Sequence, residues 1–132
     1  MILLVDASAL VALMRSETGF EELELALAGA QSRLSNGMAV WEATRAVARI
    51  IRRPLDDALG EVQRFCALLD IDIVPIGAAE AEEAVSAQLR YGKGSGHPAR
   101  LNMGDCFAYA CAKTNKARLL YKGDDFVHTD LA

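Results

Sequence analysis

Histidine and cysteine are scarce in this sequence, at two and three residues. Cys66, Cys106 and Cys111 lack the spacing of a thiolate metal site, and their odd number argues against a disulfide framework. All three are expected to be small buried apolar residues. Long apolar runs are missing too. None approaches the roughly 20 residues needed to cross a bilayer, and the apolar start has neither a basic flank nor a cleavage site. A cytoplasmic protein with no membrane association is therefore expected. Basic charge is in deficit, with a net charge of -4, so any nucleic-acid contact must be a local basic patch on an acidic protein. Three glycines and a lysine in Gly92–Pro98 suggest a phosphate loop, but no Gly-Lys-Ser/Thr follows. That stretch reads as a plain loop, and His97 as a loop residue. Repeats, low-complexity tracts and long linkers are also absent. With 52% hydrophobic and 24% charged residues, the 132 residues suit one domain, 1–132, around an ample core.

What is present is an alternation of helical and strand-like segments, the pattern of an α/β fold with a central, mostly parallel sheet between helices. Ile2-Leu3-Leu4-Val5 has no polar alternation, as expected of a strand covered on both faces. Asp6 ends it, and Ala7 to Met14 follows as a helix-compatible series. Asp6 is then either a cap for that helix or a site residue at the carboxyl edge of the sheet, where ligands collect in such folds. A second helix runs from Gly19 to Gly29, with Phe20, Leu23, Leu25 and Leu27 as its apolar positions, and Ser32 to Asn36 is a weak strand.

From Met38 to Arg53, at roughly 100° per residue, Val40, Ala43, Val47, Ile50 and Ile51 share one helix face. Glu42, Arg45, Arg49, Arg52 and Arg53 share the other. The arginines are either a solvated face or an RNA-binding stripe. Glu42 is expected in the first turn, beside Trp41. Pro54 suits the start of a helix over Leu55 to Leu69, where Asp56 and Asp57 complement the dipole. A strand over Ile71 to Ile76 and a helix over Ala78 to Tyr91 come next. Leu101 to Lys116 is apolar almost all round and must be a buried helix. Asp105 lies in its first turn, where with Asn102 it also fits a variant capping box. Arg118 to Tyr121 is a last short strand, running into Asp124-Asp125.

Asp6, Glu42, Asp105 and Asp124-Asp125 should therefore face one edge of the sheet. Carboxylates gathered without bases repel one another unless a cation sits among them. An all-oxygen set with water completing the shell fits Mg²⁺, or Mn²⁺, better than zinc.

These residues carry a specific resemblance. Val5-Asp6-Ala7-Ser8-Ala9-Leu10, Glu42 in its helix, Leu101–Ala110 and Tyr121-Lys122-Gly123-Asp124-Asp125-Phe126 resemble the PIN-domain ribonucleases of VapC type, in order along the whole chain. The resemblance implies a PIN-like three-layer α/β/α fold and the endoribonuclease toxin of a type II toxin–antitoxin pair. It implies Mg²⁺ held mainly by Asp6 and Asp105, with Glu42 and one of Asp124 and Asp125 completing the acidic set. Asp125, just before the phenylalanine, matches the fourth acid best; the family often has Asn at the position of Asp124, which makes that carboxylate a departure. Ser8 matches a supporting hydroxyl, and Arg45 and Arg49 would lie along RNA. The implied partners are RNA (tRNA, rRNA or mRNA), a VapB-type antitoxin and a second copy of the chain. Phe20, Leu23, Leu27 and the outward residues of the Met38–Arg53 helix would wall the antitoxin groove.

Three other readings compete. A non-catalytic PIN-fold RNA-binding or protein-interaction domain has no need of concentrated carboxylates. A phosphoacceptor receiver needs an Asp at the end of its central strand, where Ile71 to Ile76 leads to Gly77. A haloacid-dehalogenase phosphatase needs an Asp where Ser8 stands.

Overall fold

The wholly apolar start of the chain becomes an inner strand. In the computed structural model, which describes all residues from Met1 to Ala132, β1 (Ile2–Val5) lies between β2 (Ser32–Asn36) and β4 (Arg118–Leu120). β3 (Ile71–Val74) pairs outside β2, giving the order β3-β2-β1-β4, with every pairing parallel. Successive side chains of a strand point to opposite faces. Leu3 and Val5 accordingly join the core formed with α1 (Ala7–Arg15), α2 (Phe20–Ala28), α3 (Gly37–Ile51) and α4 (Leu55–Leu68). Leu4 joins the second core, with α5 (Ala78–Tyr91) and α6 (Met103–Thr114). The result is the expected three-layer α/β/α arrangement.

The three cysteines are buried and unpaired. No helix is long and apolar enough to cross a membrane. His97 is a loop residue whose Nδ1 accepts a 3.1 Å bond from the Ala99 amide.

Several boundaries and faces differ from expectation, each for a local reason. Asn36 caps α3 by accepting from Ala39 N at 2.7 Å, so the helix starts at Gly37 and Glu42 lies in its second turn, not its first. Leu101 stays outside α6. It pairs with Gly92, and Asn102 then caps the helix through Asp105 N at 2.9 Å. β3 ends at Val74 because Pro75 has no amide to continue the ladder. Leu25 and Ile50, read as core positions, are 74% and 45% exposed. Leu23 and Leu27 are instead buried in the core, so they cannot serve as free groove walls.

Asn36 joins the two cores as well as capping α3. It is fully buried, and its Nδ2 donates to Phe107 O at 3.4 Å and lies 3.3 Å from Cys111 Sγ, both on α6. Replacing it with Ala removes a cap and leaves the buried Ala39 amide short of an acceptor. The Asn36→Ala variant should lose about 1–3 kcal/mol of stability, read as a lowered denaturant midpoint with an unchanged slope.

Candidate active site

Asp6 is 6% exposed at the end of β1. Its Oδ2 accepts from Ser8 N at 3.1 Å and from Ser8 Oγ at 2.7 Å, which caps α1 and leaves Oδ1 outside the cap. Ser8 Oγ also accepts from Lys122 N at 3.0 Å, so one hydroxyl ties the first aspartate to the segment after β4. Asp105, 7% exposed, occupies the third position of α6 and accepts from Asn102 N at 3.1 Å in a reciprocal capping box. Both aspartates are therefore caps and members of the acidic cluster at once.

Glu42 is half-buried on α3, with its carboxylate directly against Gly104. A Cβ at position 104 would fall inside that carboxylate, so any other residue there would push the Glu42 side chain out of its present place. Asp125 is exposed, but its charge acts on both Asp6 and Asp105.

The electrostatics are those of repelling acids. Burial raises Asp6, offset by the Ser8 bonds and reinforced by Asp125. Burial, then Asp6, raises Glu42 against the pull of Arg45. Asp105 is pushed to about 7, first by burial, against the Asn102 bond, and then by Asp125, Asp6 and Glu42.

No three acidic, cysteine or histidine side chains close into one ligand cage. A cation that keeps most of its water and takes one or two carboxylates plus substrate oxygens fits this all-oxygen set, which is the habit of Mg²⁺. An open cleft of about 420 Å³ beside the cluster is lined by Ser8, Glu17, Glu42, Lys122 and Gly123, among others. Of the arginines, Arg45 stacks over the exposed Trp41 ring at 4.8 Å and is close enough to Glu42 to act on its charge. Arg49 is exposed one turn further on. Lys122, Gly104 and Asn36 went unread in the sequence. Only the glycine directly before Asp105 and the Lys-Gly pair directly before Asp124 hinted at the first two.

Residues 3–131 match the PIN domain family. The chain belongs to that family. A VapC ribonuclease of Rhizobium meliloti is 42% identical, with 96% of this chain and 97% of the relative covered. Ribonuclease VapC42 of Mycobacterium tuberculosis is 36% identical, over 98% and 96%. The crystal structure of M. tuberculosis VapC20, described as a sarcin-ricin loop cleaving toxin, superposes with a TM-score of 0.76 over 98% and 96% of the chains. At 13% identity it shows the fold. A toxin–antitoxin complex from Klebsiella pneumoniae gives 0.68 at 20% identity, over 97% and 92%. Among PIN domains this one is a nuclease of VapC type, and the receiver and phosphatase readings fall away.

The raised acid in this PIN domain has a measurable consequence. The unfolded chain releases the Asp105 proton near the ordinary 3.8, while the folded chain holds it to about 7. Its contribution to stability is full below the first value, declines between the two and is lost above the second. In chelator, the unfolding temperature should therefore fall from pH 4.5 to 7.5 more steeply in the wild type than in Asp105→Asn. Mg²⁺ at pH 7.5 should narrow that gap, as ligand linkage requires.

Proposed function

We propose that this PIN domain is a Mg²⁺-dependent endoribonuclease toxin of a type II toxin–antitoxin system, acting in the cytoplasm on tRNA, rRNA or mRNA, with Mn²⁺ able to substitute. The observation that carries the reading is the meeting of Asp6, Glu42, Asp105 and Asp125, from four separate parts of the chain, as electrostatic neighbours. When bound, the metal would supply a water of lowered pKa and positive charge against the scissile phosphate. Asp6 and Asp105 would hold it, each with one oxygen engaged in its cap and the other free of it. Ser8 keeps Asp6 oriented. Glu42, half-buried with a raised pKa, suits a group that takes a proton from the attacking water. Asp125, at the rim, would orient that water.

Lys122 in the cleft and Arg45 and Arg49 along α3 would meet the phosphate backbone, and unstacked bases would carry sequence choice. Asn substitutions are the sharpest test, because Asn caps a helix about as well as Asp. Asp6→Asn or Asp105→Asn should keep the fold and lose at least roughly a hundredfold in Mg²⁺-dependent RNA cleavage, the scale of a lost charge at a reacting centre. Near wild-type cleavage by either would contradict the metal-site reading. Asp125→Asn should cost more than Asp124→Asn across a Mg²⁺ titration; the reverse order would exchange their roles.

The same crowded carboxylates suit an arginine from another chain, since a guanidinium binds carboxylates bidentately and would compete with Mg²⁺. That favours inhibition by a VapB-type antitoxin bound to a homodimer of this chain. Sedimentation should give a dimer, and added Mg²⁺ should weaken inhibition. A monomer indifferent to antitoxin would contradict this part alone.

A further inference from the structure

Asp125 rides on a segment, from Tyr121 to the end of the chain, that is neither helix nor strand. Something other than a backbone ladder must hold it. Near its start Lys122 N is bound to Ser8 Oγ, and in its middle Phe126 is buried with its ring 5.1 Å from that of Tyr121. Its far end is fastened more strongly. Asp130 accepts from Tyr109 Oη at 2.7 Å, from Lys113 Nζ at 2.6 Å and from Tyr91 Oη at 3.3 Å. Arg90 donates to both phenols, at 2.6 Å to Tyr91 and 3.2 Å to Tyr109. Thr129 closes the turn by donating to Phe126 O at 2.8 Å.

This cluster takes no direct part in the acidic site, yet it shares a helix with it. Asp105, Tyr109 and Lys113 follow at i, i+4 and i+8 on α6, and residues so spaced lie on one face. The helix that begins with one site carboxylate therefore clamps the far end of the segment carrying another.

We infer that Asp130 is a positioning residue: docked on Tyr91, Tyr109 and Lys113, it fixes where Asp125 stands relative to Asp6 and Asp105. The inference rests on the reading of Asp125 as a member of the catalytic set. Charge-assisted bonds of this kind are strong enough to set the resting place of a loop. Without them, the segment beyond Gly123 would be anchored by the buried Phe126 and Thr129 and the partly buried Leu131, and Asp125 would sample several positions.

The test compares Asp130→Ala, Asp125→Asn and the double variant, with Lys113→Met as a milder variant that removes one partly exposed partner. RNA cleavage is measured across a Mg²⁺ titration, and amide hydrogen exchange is followed over residues 122–129. Asp130→Ala should raise the Mg²⁺ concentration for half-maximal cleavage at least about threefold, and should add less than about twofold when Asp125 is already Asn. Exchange should quicken in the 122–129 segment but not in α3. Lys113→Met should shift both readouts the same way by less, and it decides the matter if Asp130→Ala does not fold. A wild-type Mg²⁺ requirement in Asp130→Ala, or a loss that adds in full on Asp125→Asn, would overturn the positioning role alone. Undiminished cleavage by Asp125→Asn itself would overturn the reading of Asp125, and this inference with it.

Discussion

Everything at the carboxyl edge of the sheet is arranged to keep mutually repelling acids close together. Left free, Asp6, Glu42, Asp105 and Asp125 would turn outward to water and separate. They are held by bonds that serve the fold. Asp6 is fixed by capping α1, and Asp105 by its reciprocal cap with Asn102. Glu42 is seated against a glycine on α6. Burial first, and then the neighbouring acids, raise the pKa values of Asp6, Glu42 and Asp105, a cost that a bound cation would offset. The proposed metal would find there a place where its charge relieves electrostatic strain.

The sheet topology explains how four distant residues meet. β1 is flanked by parallel neighbours, so the segments that follow β1, β2 and β4 all leave the sheet at the same edge. α1 to α4 cover one face and α5 and α6 the other, and the acids come from both. The Glu42 carboxylate of α3 lies against Gly104 of α6, and Asn36 stitches the end of β2 to α6. Packing of the two cores therefore sets the distances within the site, and a loss of core order would reach the chemistry without altering any acid.

Much of this was legible in the residues. An unbroken apolar run ending in Asp6, the helical period of α3 and the nearly all-apolar α6 each determine an element and a face. Other features lay beyond one-dimensional pattern. Asn36 reads only as the end of a weak strand, but it is buried and caps the helix, which moves Glu42 into the second turn. Ile50 suits an apolar face and is nevertheless exposed, because periodicity sets direction and not how far the neighbouring elements extend; Leu25 lies about 200° round the helix from Leu23, opposite the buried face. Asp124 and Asp125 are the same residue side by side; the resemblance favours Asp125, and it is the charge of Asp125 that acts on Asp6 and Asp105. For Asp6 and Asp105 the structure shows the caps, and in each case one carboxylate oxygen stays outside the capping bonds.

In the proposed mechanism Asp6 and Asp105 together create a binding place for a divalent cation. A crystal of the protein soaked in Mn²⁺ and measured for anomalous scattering tests this most directly. A single strong peak is expected within about 2.0–2.4 Å of one oxygen from each of these carboxylates, weakened in Asp105→Asn. A peak elsewhere on the protein, or none at this edge of the sheet, would contradict it.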